Sequence, residues 1–349
     1  MSSSTSGEIN NFIKVWLTVL TSLTYSYFIS SKLPKGLPRL LSLLPIITLF
    51  FLLPLAISTV HLSGITGFFV AWLANFKLLL LAFDLPPLAS PPHSLPHHHD
   101  HHLLHFISLS CLPIKIMTNK PKPQLVPQLP TIINYIIKSL VVVLSINIYN
   151  YKHYLHPKLL QLLYCIHIYC FLEVLLVISA RLARKLLRVH LEAPFNEPYR
   201  STSLQDFWGR RWNLMVTGIL RPTVYKPVRE YLGERRWAMP AAVMATFVVS
   251  GAMHELMFFY LSRKSPDGGM MGFFVLHGVC LVVEITVKKR LRWRLGAVVS
   301  VVVTGGFVAA TALWLFVPYM VRRGVDARAM EEYVMVARYA KMVLKLGPN

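Results

Sequence analysis

Eight long apolar segments constrain the fold of this chain more than any other feature of its sequence. A helix needs about 20 mostly apolar residues to cross the hydrocarbon core of a bilayer. The sequence therefore predicts an all-α, multi-pass transmembrane bundle of about eight spans with interfacial helices. We expect one membrane-embedded domain over residues 1–349. The predicted spans are Ile9–Ser30, Leu40–His61, Ile65–Phe83, Thr131–Tyr149, His156–Ala180, Trp237–Leu261, Met270–Val287 and Gly296–Met320.

The composition agrees with a membrane protein. Of the 349 residues, 54% are hydrophobic and only 15% are charged, whereas a soluble domain is about a quarter charged. The formal net charge of +21 comes mostly from Lys and Arg that flank apolar segments. That placement suits lipid head groups and anionic cofactors better than DNA. Because no stacking sheet or groove-reading helix can be recognised, we expect no nucleic-acid partner.

The cysteines and the N-terminus give two further expectations. None of the four cysteines forms a CxxC pair, which predicts buried reduced thiols and neither a disulfide framework nor a zinc site. The first eight residues lack Lys and Arg, and no small-residue cleavage site follows the first apolar segment. We therefore predict a retained span rather than a cleaved signal peptide. The cysteines are Cys111, Cys165, Cys170 and Cys280.

The distribution of basic residues between the spans predicts an orientation. The fifth loop, residues 181–236, holds twelve basic residues, and the seventh, residues 288–294, holds five, whereas the second, residues 62–64, holds none. Loops rich in Lys and Arg stay on the cytoplasmic side, so the N-terminus should be lumenal. The basic C-terminal tail breaks this pattern: either a span has been missed, or the tail lies on the membrane without setting the topology.

Residues 84–130 form a low-complexity insert with five prolines between Pro86 and Pro96, which exclude a regular helix there. The run His97–His102 that follows, with His105 beyond it, allows a metal-transport or metal-sensing loop, because His-rich tracts bind zinc or copper. We favour a solvated loop with adventitious metal affinity, since few spans carry facing acidic or histidine ligands. Phe106–Met117 is too short to span and is predicted to be re-entrant or interfacial.

The segment Arg181–Arg188 places its basic residues on one helical face and its leucines largely on the other. This pattern suits a helix that lies in the membrane interface. It also suits a simple basic end to the preceding span. Both interpretations stay open at this stage.

A histidine deep in an apolar span is the first candidate for chemistry. His254 lies about two-thirds of the way along Trp237–Leu261, and Ser250 and Gly251 precede it on the same helical face. An ionisable residue at membrane depth is costly and indicates a function. Neutral imidazole is the usual general base near pH 7, and small neighbours would let a helix or a substrate approach it. The alternative is a histidine bound to a backbone carbonyl that only joins helices.

Two other ionisable residues near this histidine need an assignment. Glu255 points about 100° away from its neighbour around the helix, so we expect it to serve another contact. His277, in the next predicted span, is the rival base, and we expect it to be structural or to face the substrate.

The aromatic-basic segment Phe207–Asn213 is the second candidate. Arg210 and Arg211 carry forked donors that suit phosphates, and Trp208 and Trp212 can stack on a base or anchor at the interface. The amide of Asn213 can donate to a developing oxyanion. The alternative for the whole segment is an interfacial anchor.

Three polar residues nearby have a simpler interpretation. Asn196, Ser203 and Asp206 are typical helix caps and turn formers. We also expect Asp206 to pair with a nearby arginine.

These motifs together carry a resemblance. Asn196–Asn213, followed by Ser250–Glu255, resembles the plant wax synthase branch of the membrane-bound O-acyltransferases. The similarity extends through most of the chain, including Ala71–Lys77 and Cys111–Lys115, but leaves out the His-rich insert. Val216–Tyr225 resembles acyl-CoA–sterol acyltransferases as well as the long-chain-alcohol enzymes. The motif is long and specific, so chance does not explain it.

The resemblance implies a multi-pass endoplasmic reticulum enzyme whose catalytic core covers residues 190–290. It implies that His254 takes the proton of a long-chain alcohol, or of a sterol as the alternative, which attacks the thioester of acyl-CoA. Asn213 would place the reactants or stabilise the oxyanion, and Trp208, Arg210, Arg211 and Trp212 would contact acyl-CoA. Arg210 stands where sterol and diacylglycerol relatives carry Asp, so that residue's role does not transfer.

The implied reaction needs little besides these groups. A thioester is already activated, so proximity and one base can suffice. The sequence shows no Gly-x-Ser-x-Gly elbow for a covalent intermediate. We expect acyl-CoA as a co-substrate and neither a metal nor another cofactor. The competing classes are a His-rich metal transporter and a non-catalytic membrane scaffold.

Overall fold

The computed structural model describes residues 2–88, 99–114, 129–187, 191–290 and 296–345, and every element within these ranges is helical. A π-helical segment, Gly67–Ala74, joins α3 to α4, and another, Ala312–Phe316, joins α13 to α14. The helices are α1 (Ser2–Lys32), α2 (Leu37–Leu52), α3 (Val60–Thr66), α4 (Asn75–Ala82), α5 (His99–Cys111), α6 (Leu129–Tyr149), α7 (Pro157–Leu187), α8 (Leu204–Asp206), α9 (Leu214–Leu220), α10 (Lys226–Leu232), α11 (Ala238–Ser262), α12 (Gly269–Arg290), α13 (Ala297–Thr311), α14 (Val317–Arg322) and α15 (Val325–Lys345).

Eight helical runs in the described residues are long and apolar enough to cross a membrane, which confirms the predicted architecture. The largest difference concerns the break between the second and third spans. Leu53–Ala56 forms a 3₁₀ turn and Ile57 is extended, so the third span begins at Val60 rather than at Ile65. The spans are Gly7–Lys32, Leu37–Ala56, Val60–Ala82, Ile132–Tyr149, Pro157–Lys185, Ala238–Ser262, Gly269–Arg290 and Ala297–Arg322.

The third span, Val60–Ala82, is the centre of the bundle. Of its most apolar 18-residue window, 89% is buried inside the protein, against 17% for Ile132–Tyr149 and 11% for Ala297–Arg322. The peripheral spans therefore present most of their apolar surface to lipid, while the third span is covered by protein on nearly all sides. Most of the side chains that it carries lie in the interior.

Lys77 on the third span attaches the short helix α5 to the bundle. Its ammonium group is buried and donates to the backbone carbonyls of Leu109 (2.5 Å) and Leu112 (2.7 Å). Lysine is favourable at a helix C-terminus, where carbonyls lack partners. Phe106 and Leu109 are buried in the same core. The predicted short segment is thus a helix that starts earlier, at His99, and packs inside the bundle; residues 115–117 lie outside the described ranges.

The His-rich run lies mostly beyond what the structure describes. His97 and His98 fall outside the described residues, and the side chains of His99–His101 do as well. The metal-binding interpretation of this run stays a prediction. His105 is buried in α5.

The basic segment after the fifth span continues that span without a break. Helix α7 runs from Pro157 to Leu187, with Ala183 and Leu187 buried and Arg181 exposed. The described part of this segment is therefore the basic end of a transmembrane helix rather than a separate interfacial helix. Arg188 lies outside the described residues.

Helix α15 shows how the C-terminal tail relates to the spans. Glu332 contacts the Nδ1 atom of His61 (2.6 Å), and Arg328 donates to the carbonyl of Leu261. Near the N-terminus, Glu8 accepts from the backbone N–H of Thr59 (2.8 Å). Both termini therefore lie on the side of the loops after the second and sixth spans, as eight spans require. The described part of the tail is a helix on that side, and the described residues hold eight spans, as predicted.

Hydrogen bonding holds Glu332 in its charged form. Burial alone would raise the pKa of Glu332, but hydrogen bonds from the His61 ring and from the backbone N–H groups of His61 and Val60 lower it below its ordinary value. These N–H groups start α3, where a carboxylate is favourable. The contact fixes α15 to the start of the central span.

Helix α11 is held closely between the third span and α12. A Cβ atom at Gly67 would lie 2.8 Å from a ring carbon of Tyr260 on α11, and one at Gly251 would lie 2.6 Å from the sulfur and 3.2 Å from the Cα of Met271 on α12. Glycine is required at both positions because the helices approach so closely. This packing fixes the position of the residues that follow Gly251 on α11.

Candidate active site

His254 presents one free ring nitrogen. The chain places it one turn after Ser250 on α11, and its Nδ1 atom lies 2.8 Å from the Ser250 carbonyl oxygen. A carbonyl oxygen only accepts, so Nδ1 carries the proton and Nε2 carries the lone pair of a neutral imidazole. Within the described residues Nε2 has no hydrogen-bond partner, and the side chain is half-buried. The backbone contact expected of a purely structural histidine is thus present, and it also leaves Nε2 with the free lone pair.

Aromatic rings surround this imidazole. The ring centroid of His254 lies 4.2 Å from Phe274 on α12, 4.9 Å from Trp72 on the third span and 6.5 Å from Phe316. Such walls bind apolar chains and keep water away from the free nitrogen. The surroundings suit a reaction between hydrophobic substrates.

Glu255 has a structural task, as expected from its direction. The carboxylate is buried and accepts from the backbone N–H groups of Met270 (2.7 Å) and Met271 (3.1 Å) and from the hydroxyl of Tyr319 (2.7 Å). Arg323 in turn donates to the Tyr319 oxygen at 2.6 Å. A carboxylate at a helix N-terminus satisfies its unpaired N–H groups. Glu255 therefore anchors the start of α12 against α11.

His277, the rival base, is fully engaged. The indole N–H of Trp208 donates to its Nδ1 atom (3.2 Å), so its Nε2 carries the proton and lies 2.9 Å from the Thr311 hydroxyl oxygen. The Thr311 hydroxyl in turn donates a hydrogen bond to the carbonyl of Phe307 (2.8 Å). His277 is fully buried. With both nitrogens occupied it joins α12, α13 and the loop before α9, which is the structural role expected as one of two alternatives.

The segment that precedes α9 is closed by backbone hydrogen bonds. The N–H of Asn196 donates to the carbonyl of Arg211 (2.9 Å), and that of Leu214 donates to the carbonyl of Pro194 (2.8 Å). Between them, Phe207–Arg211 forms a π-helical turn, a form that is frequent at functional sites. The segment is therefore a fixed loop rather than a loose connection.

The predicted cap and ion pair in this loop are confirmed. The Ser203 hydroxyl accepts from the backbone N–H of Asp206 (3.0 Å), as an N-cap does. Asp206 binds the Nε atom of Arg211 at 2.6 Å. Arg211 also donates to the carbonyl of Asn196 (3.2 Å), so its donors serve the loop itself.

Arg210 differs from its neighbour. Its side chain is 73% exposed and lies 3.8 Å from Asp206, whereas the side chain of Arg211 is 22% exposed. An exposed ion pair at that distance contributes little. The guanidinium of Arg210 is therefore available to an anionic ligand.

The two tryptophans of the segment point into the protein. Trp208 packs against Phe274 (6.0 Å between ring centroids) and donates its N–H to the structural histidine described above. Trp212 stacks on Phe207 (5.3 Å) and on Tyr169 (6.0 Å). These contacts anchor the loop against α7 and α12. Their predicted contact with acyl-CoA stays a prediction.

Asn213 occupies a conformation that few residues adopt. Its φ of 39° and ψ of 68° lie in the left-handed region, which asparagine tolerates better than most side chains. Its Oδ1 accepts from the N–H of Val216 (3.4 Å), and within the described residues its side-chain NH₂ donates to no acceptor. Asn213 therefore starts α9 and offers a donor.

The structure brings some of the predicted site residues together and not others. Phe274 contacts both Trp208 and His254, which joins the loop to the base through one ring. No hydrogen bond links Asn213 directly to His254 in the part of the chain described. Sequence reasoning missed the place of Trp72: it lies in the quoted stretch Ala71–Lys77, but nothing in the sequence indicates that it reaches α11.

Comparisons with known proteins identify the family. Residues 191–276 match the membrane bound O-acyl transferase family. The chain is 47% identical over 343 residues to acyl-CoA–sterol O-acyltransferase 1 of Arabidopsis thaliana, covering 95% of this chain and 96% of that protein. It is 43% identical over 349 residues to the long-chain-alcohol O-fatty-acyltransferase of Simmondsia chinensis, covering 97% of each.

A third relative is the probable long-chain-alcohol O-fatty-acyltransferase 3 of Arabidopsis thaliana, 43% identical over 357 residues, with 97% of this chain and 99% of that protein covered. The matched family segment includes both the loop with Asn213 and the helix with His254. These likenesses run nearly the whole length of the chain and confirm the resemblance predicted from its motifs. This multi-pass membrane protein belongs to the membrane-bound O-acyltransferase family.

Proposed function

We propose that this enzyme moves a fatty acyl group from acyl-CoA to the hydroxyl of a long-chain fatty alcohol, which forms a wax ester. The observation that carries the proposal is the tautomer of His254, whose Nδ1 is bound to the Ser250 carbonyl while Nε2 stays free. A free ring nitrogen among aromatic side chains is what proton abstraction from a hydrophobic alcohol needs.

The reaction follows from that nitrogen. Nε2 of His254 accepts the proton of the alcohol as the alcohol oxygen attacks the thioester carbon. The tetrahedral intermediate collapses, the carbon–sulfur bond breaks, and the imidazolium returns the proton to the CoA sulfur. The side-chain NH₂ of Asn213 is the proposed group that places the reactants or stabilises the oxyanion. Neither step needs a covalent intermediate with the enzyme.

Arg210 is the proposed ligand for a CoA phosphate. It is the exposed member of the arginine pair, and its guanidinium can bind phosphate through two donors. Trp208, Arg211 and Trp212 then shape the loop that presents it, in addition to the acyl-CoA contacts predicted for them.

A sterol is the second candidate acceptor. The 47% identity to a protein named acyl-CoA–sterol O-acyltransferase 1 favours it. The rings around His254 offer apolar surface and few polar partners, and one methylene in such a pocket changes binding by only about 1–3 kcal/mol. We therefore expect long-chain or sterol hydroxyls to be used in preference to small polar acceptors.

A competition assay tests the acceptor. Purified protein is given labelled acyl-CoA together with hexadecanol, a plant sterol and diacylglycerol, and the labelled esters are separated. Wax ester as the main product supports the proposal, and sterol ester supports the second candidate. Diacylglycerol as the best acceptor would refute the interpretation of the pocket, and no labelled ester at all would refute acyl transfer and favour a scaffold.

The proposed location is the endoplasmic reticulum membrane, with the basic fifth loop in the cytoplasm where acyl-CoA is made. Short inserts that carry a glycosylation site test this orientation at two exposed glycines. An insert at Gly233, in the fifth loop, should stay unmodified, whereas an insert at Gly268, between the sixth and seventh spans, should be glycosylated. The reverse pattern would show that the orientation is inverted.

A further inference from the structure

Trp72 carries a hydrogen-bond donor that nothing in the described protein uses. Its side chain is 2% exposed, and its indole N–H is buried without an acceptor. The indole ring packs edge to face against the imidazole of His254, with ring centroids 4.9 Å apart and an angle of 83° between the planes. The ring that carries this unpartnered buried donor therefore packs directly against the residue proposed as the base.

Such a donor calls for an explanation. Buried tryptophan N–H groups usually find a partner, and a catalytic role is one of the explanations for a donor that has none. The other ring in edge-to-face contact with Trp72 is that of Phe68, at 5.7 Å, which offers no oxygen. A substrate that reaches Nε2 of His254 brings a thioester carbonyl oxygen next to this indole.

The local backbone supports a fixed role for the indole. Trp72 lies in the π-helical segment Gly67–Ala74 of the most buried span, and π-helical turns are frequent at functional sites. One turn later, the amide of Asn75 donates to the carbonyls of Ile47 (3.1 Å) and Ala71 (3.2 Å). These bonds tie the helix around Trp72 to α2 and keep the indole in place, as a preorganised donor requires.

We infer that the indole N–H of Trp72 donates a hydrogen bond to the acyl carbonyl oxygen as it becomes an oxyanion. The inference rests on the proposed transfer from acyl-CoA. As the hydroxyl proton moves to Nε2 of His254, the new oxygen–carbon bond forms and the carbonyl π electrons move to the oxygen, where the indole stabilises them. On collapse those electrons reform the carbonyl, the carbon–sulfur bond breaks, and the sulfur takes the proton from Nε2.

The first test replaces Trp72 by Phe, which removes the N–H and keeps an aromatic ring. Loss of one oxyanion donor lowers kcat about 10²- to 10³-fold, and we expect the KM for acyl-CoA and the amount of protein in the membrane to change little. Trp16→Phe is the matched control, because the Trp16 indole N–H on α1 is also buried without an acceptor, while its ring packs against Phe12 of the same helix (6.1 Å between centroids) rather than against His254. Its kcat should equal that of the wild type.

A second variant separates the N–H from the shape of the ring. Replacement of Trp72 by 3-benzothienylalanine keeps the bicyclic ring and puts sulfur in place of the N–H. It should lose kcat as Trp72→Phe does, even if the smaller phenyl ring lowers the protein level. Wild-type kcat in the benzothienyl variant overturns the inference.

Inhibitor binding provides a readout that a purely structural role does not change. A CoA thioether with a 2-oxoalkyl chain carries a carbonyl group, whereas the S-alkyl thioether of equal length does not. The wild type and Trp16→Phe should bind the ketone more tightly than the plain thioether, and this preference should disappear in both Trp72 variants. An unchanged preference contradicts the inference while the proposed function stands. A wild type that makes no ester from acyl-CoA refutes both, and that result is recognised without any variant.

Discussion

Two histidines on adjacent helices, His254 and His277, illustrate how one type of side chain serves two purposes. The Nε2 atom of His254 is free and its Nδ1 is bound to a backbone carbonyl. Both nitrogens of His277 are bound, one by Trp208 and the other by Thr311. The more deeply buried of the two, His277, is thus the less available for proton transfer. Whether both ring nitrogens are hydrogen-bonded, rather than how deeply the ring is buried, distinguishes a base from a structural histidine.

The largest expected effect on turnover comes from replacing His254, the histidine with a free Nε2 atom. His254→Ala removes the proposed base, so ester formation should fall about 10²- to 10⁴-fold, while the protein remains at its normal level in the membrane. Microsomes given labelled acyl-CoA and hexadecanol measure the rate, and immunoblotting measures the level. Turnover near that of the wild type would remove the distinction between the two histidines.

His277, whose two ring nitrogens are both hydrogen-bonded, should contribute more to stability than to turnover. His277→Ala leaves the Trp208 N–H without its acceptor and opens a cavity, which costs about 1–3 kcal/mol for the unpaired donor alone. We expect a clearly lower unfolding temperature in detergent and more residual activity per folded molecule than in His254→Ala. If His277→Ala kept full stability and lost turnover as completely as His254→Ala, His277 would be part of the chemistry.

Arg210 and Arg211 should also differ according to whether their donors are already bound within the loop. Arg210→Gln should raise the KM for acyl-CoA with little change in kcat, because it removes ground-state binding. Arg211→Gln should instead lower the protein level, because Arg211 is bound to Asp206 and to the loop backbone. Steady-state kinetics on equal amounts of folded protein distinguish them. An unchanged KM in Arg210→Gln would favour the interfacial-anchor alternative for this segment.

The smallest effect is expected at His61, a third histidine with an occupied ring nitrogen. His61→Ala should keep its turnover and lose about 1 kcal/mol of stability through the contact with Glu332. Because the pKa of Glu332 is lowered in the folded protein, its stabilising contribution is present above the unfolded carboxyl value of about 4.3 and is lost as the pH falls through the folded value. The difference in unfolding temperature between wild type and Glu332→Gln should therefore shrink on acidification. A large loss of turnover in His61→Ala would contradict the occupancy argument.

Much of this arrangement could be predicted because apolar length and helical direction are local properties. The eight spans, the Ser203 cap and the separate task of Glu255 follow from spacing alone. The tautomer of His254 depends on the Ser250 carbonyl one turn earlier, a kind of contact that the sequence had left open as an alternative. The tautomer of His277 could not be predicted, because it depends on Trp208 and Thr311, which are distant in the chain. The approach of Trp72 to His254 was missed for the same reason: helical periodicity indicates which face is buried, not which helix covers it.

The most direct test of the central claim is the protonation of the two rings in the resting protein. Solid-state NMR of histidine-labelled protein in lipid distinguishes the two neutral tautomers by the shifts of the ring nitrogens and carbons, and the variants His254→Ala and His277→Ala assign the signals. The account predicts a proton on Nδ1 of His254 and on Nε2 of His277. A proton on Nε2 of His254 would leave the lone pair on Nδ1, which faces the Ser250 carbonyl and not an alcohol, and would contradict the account.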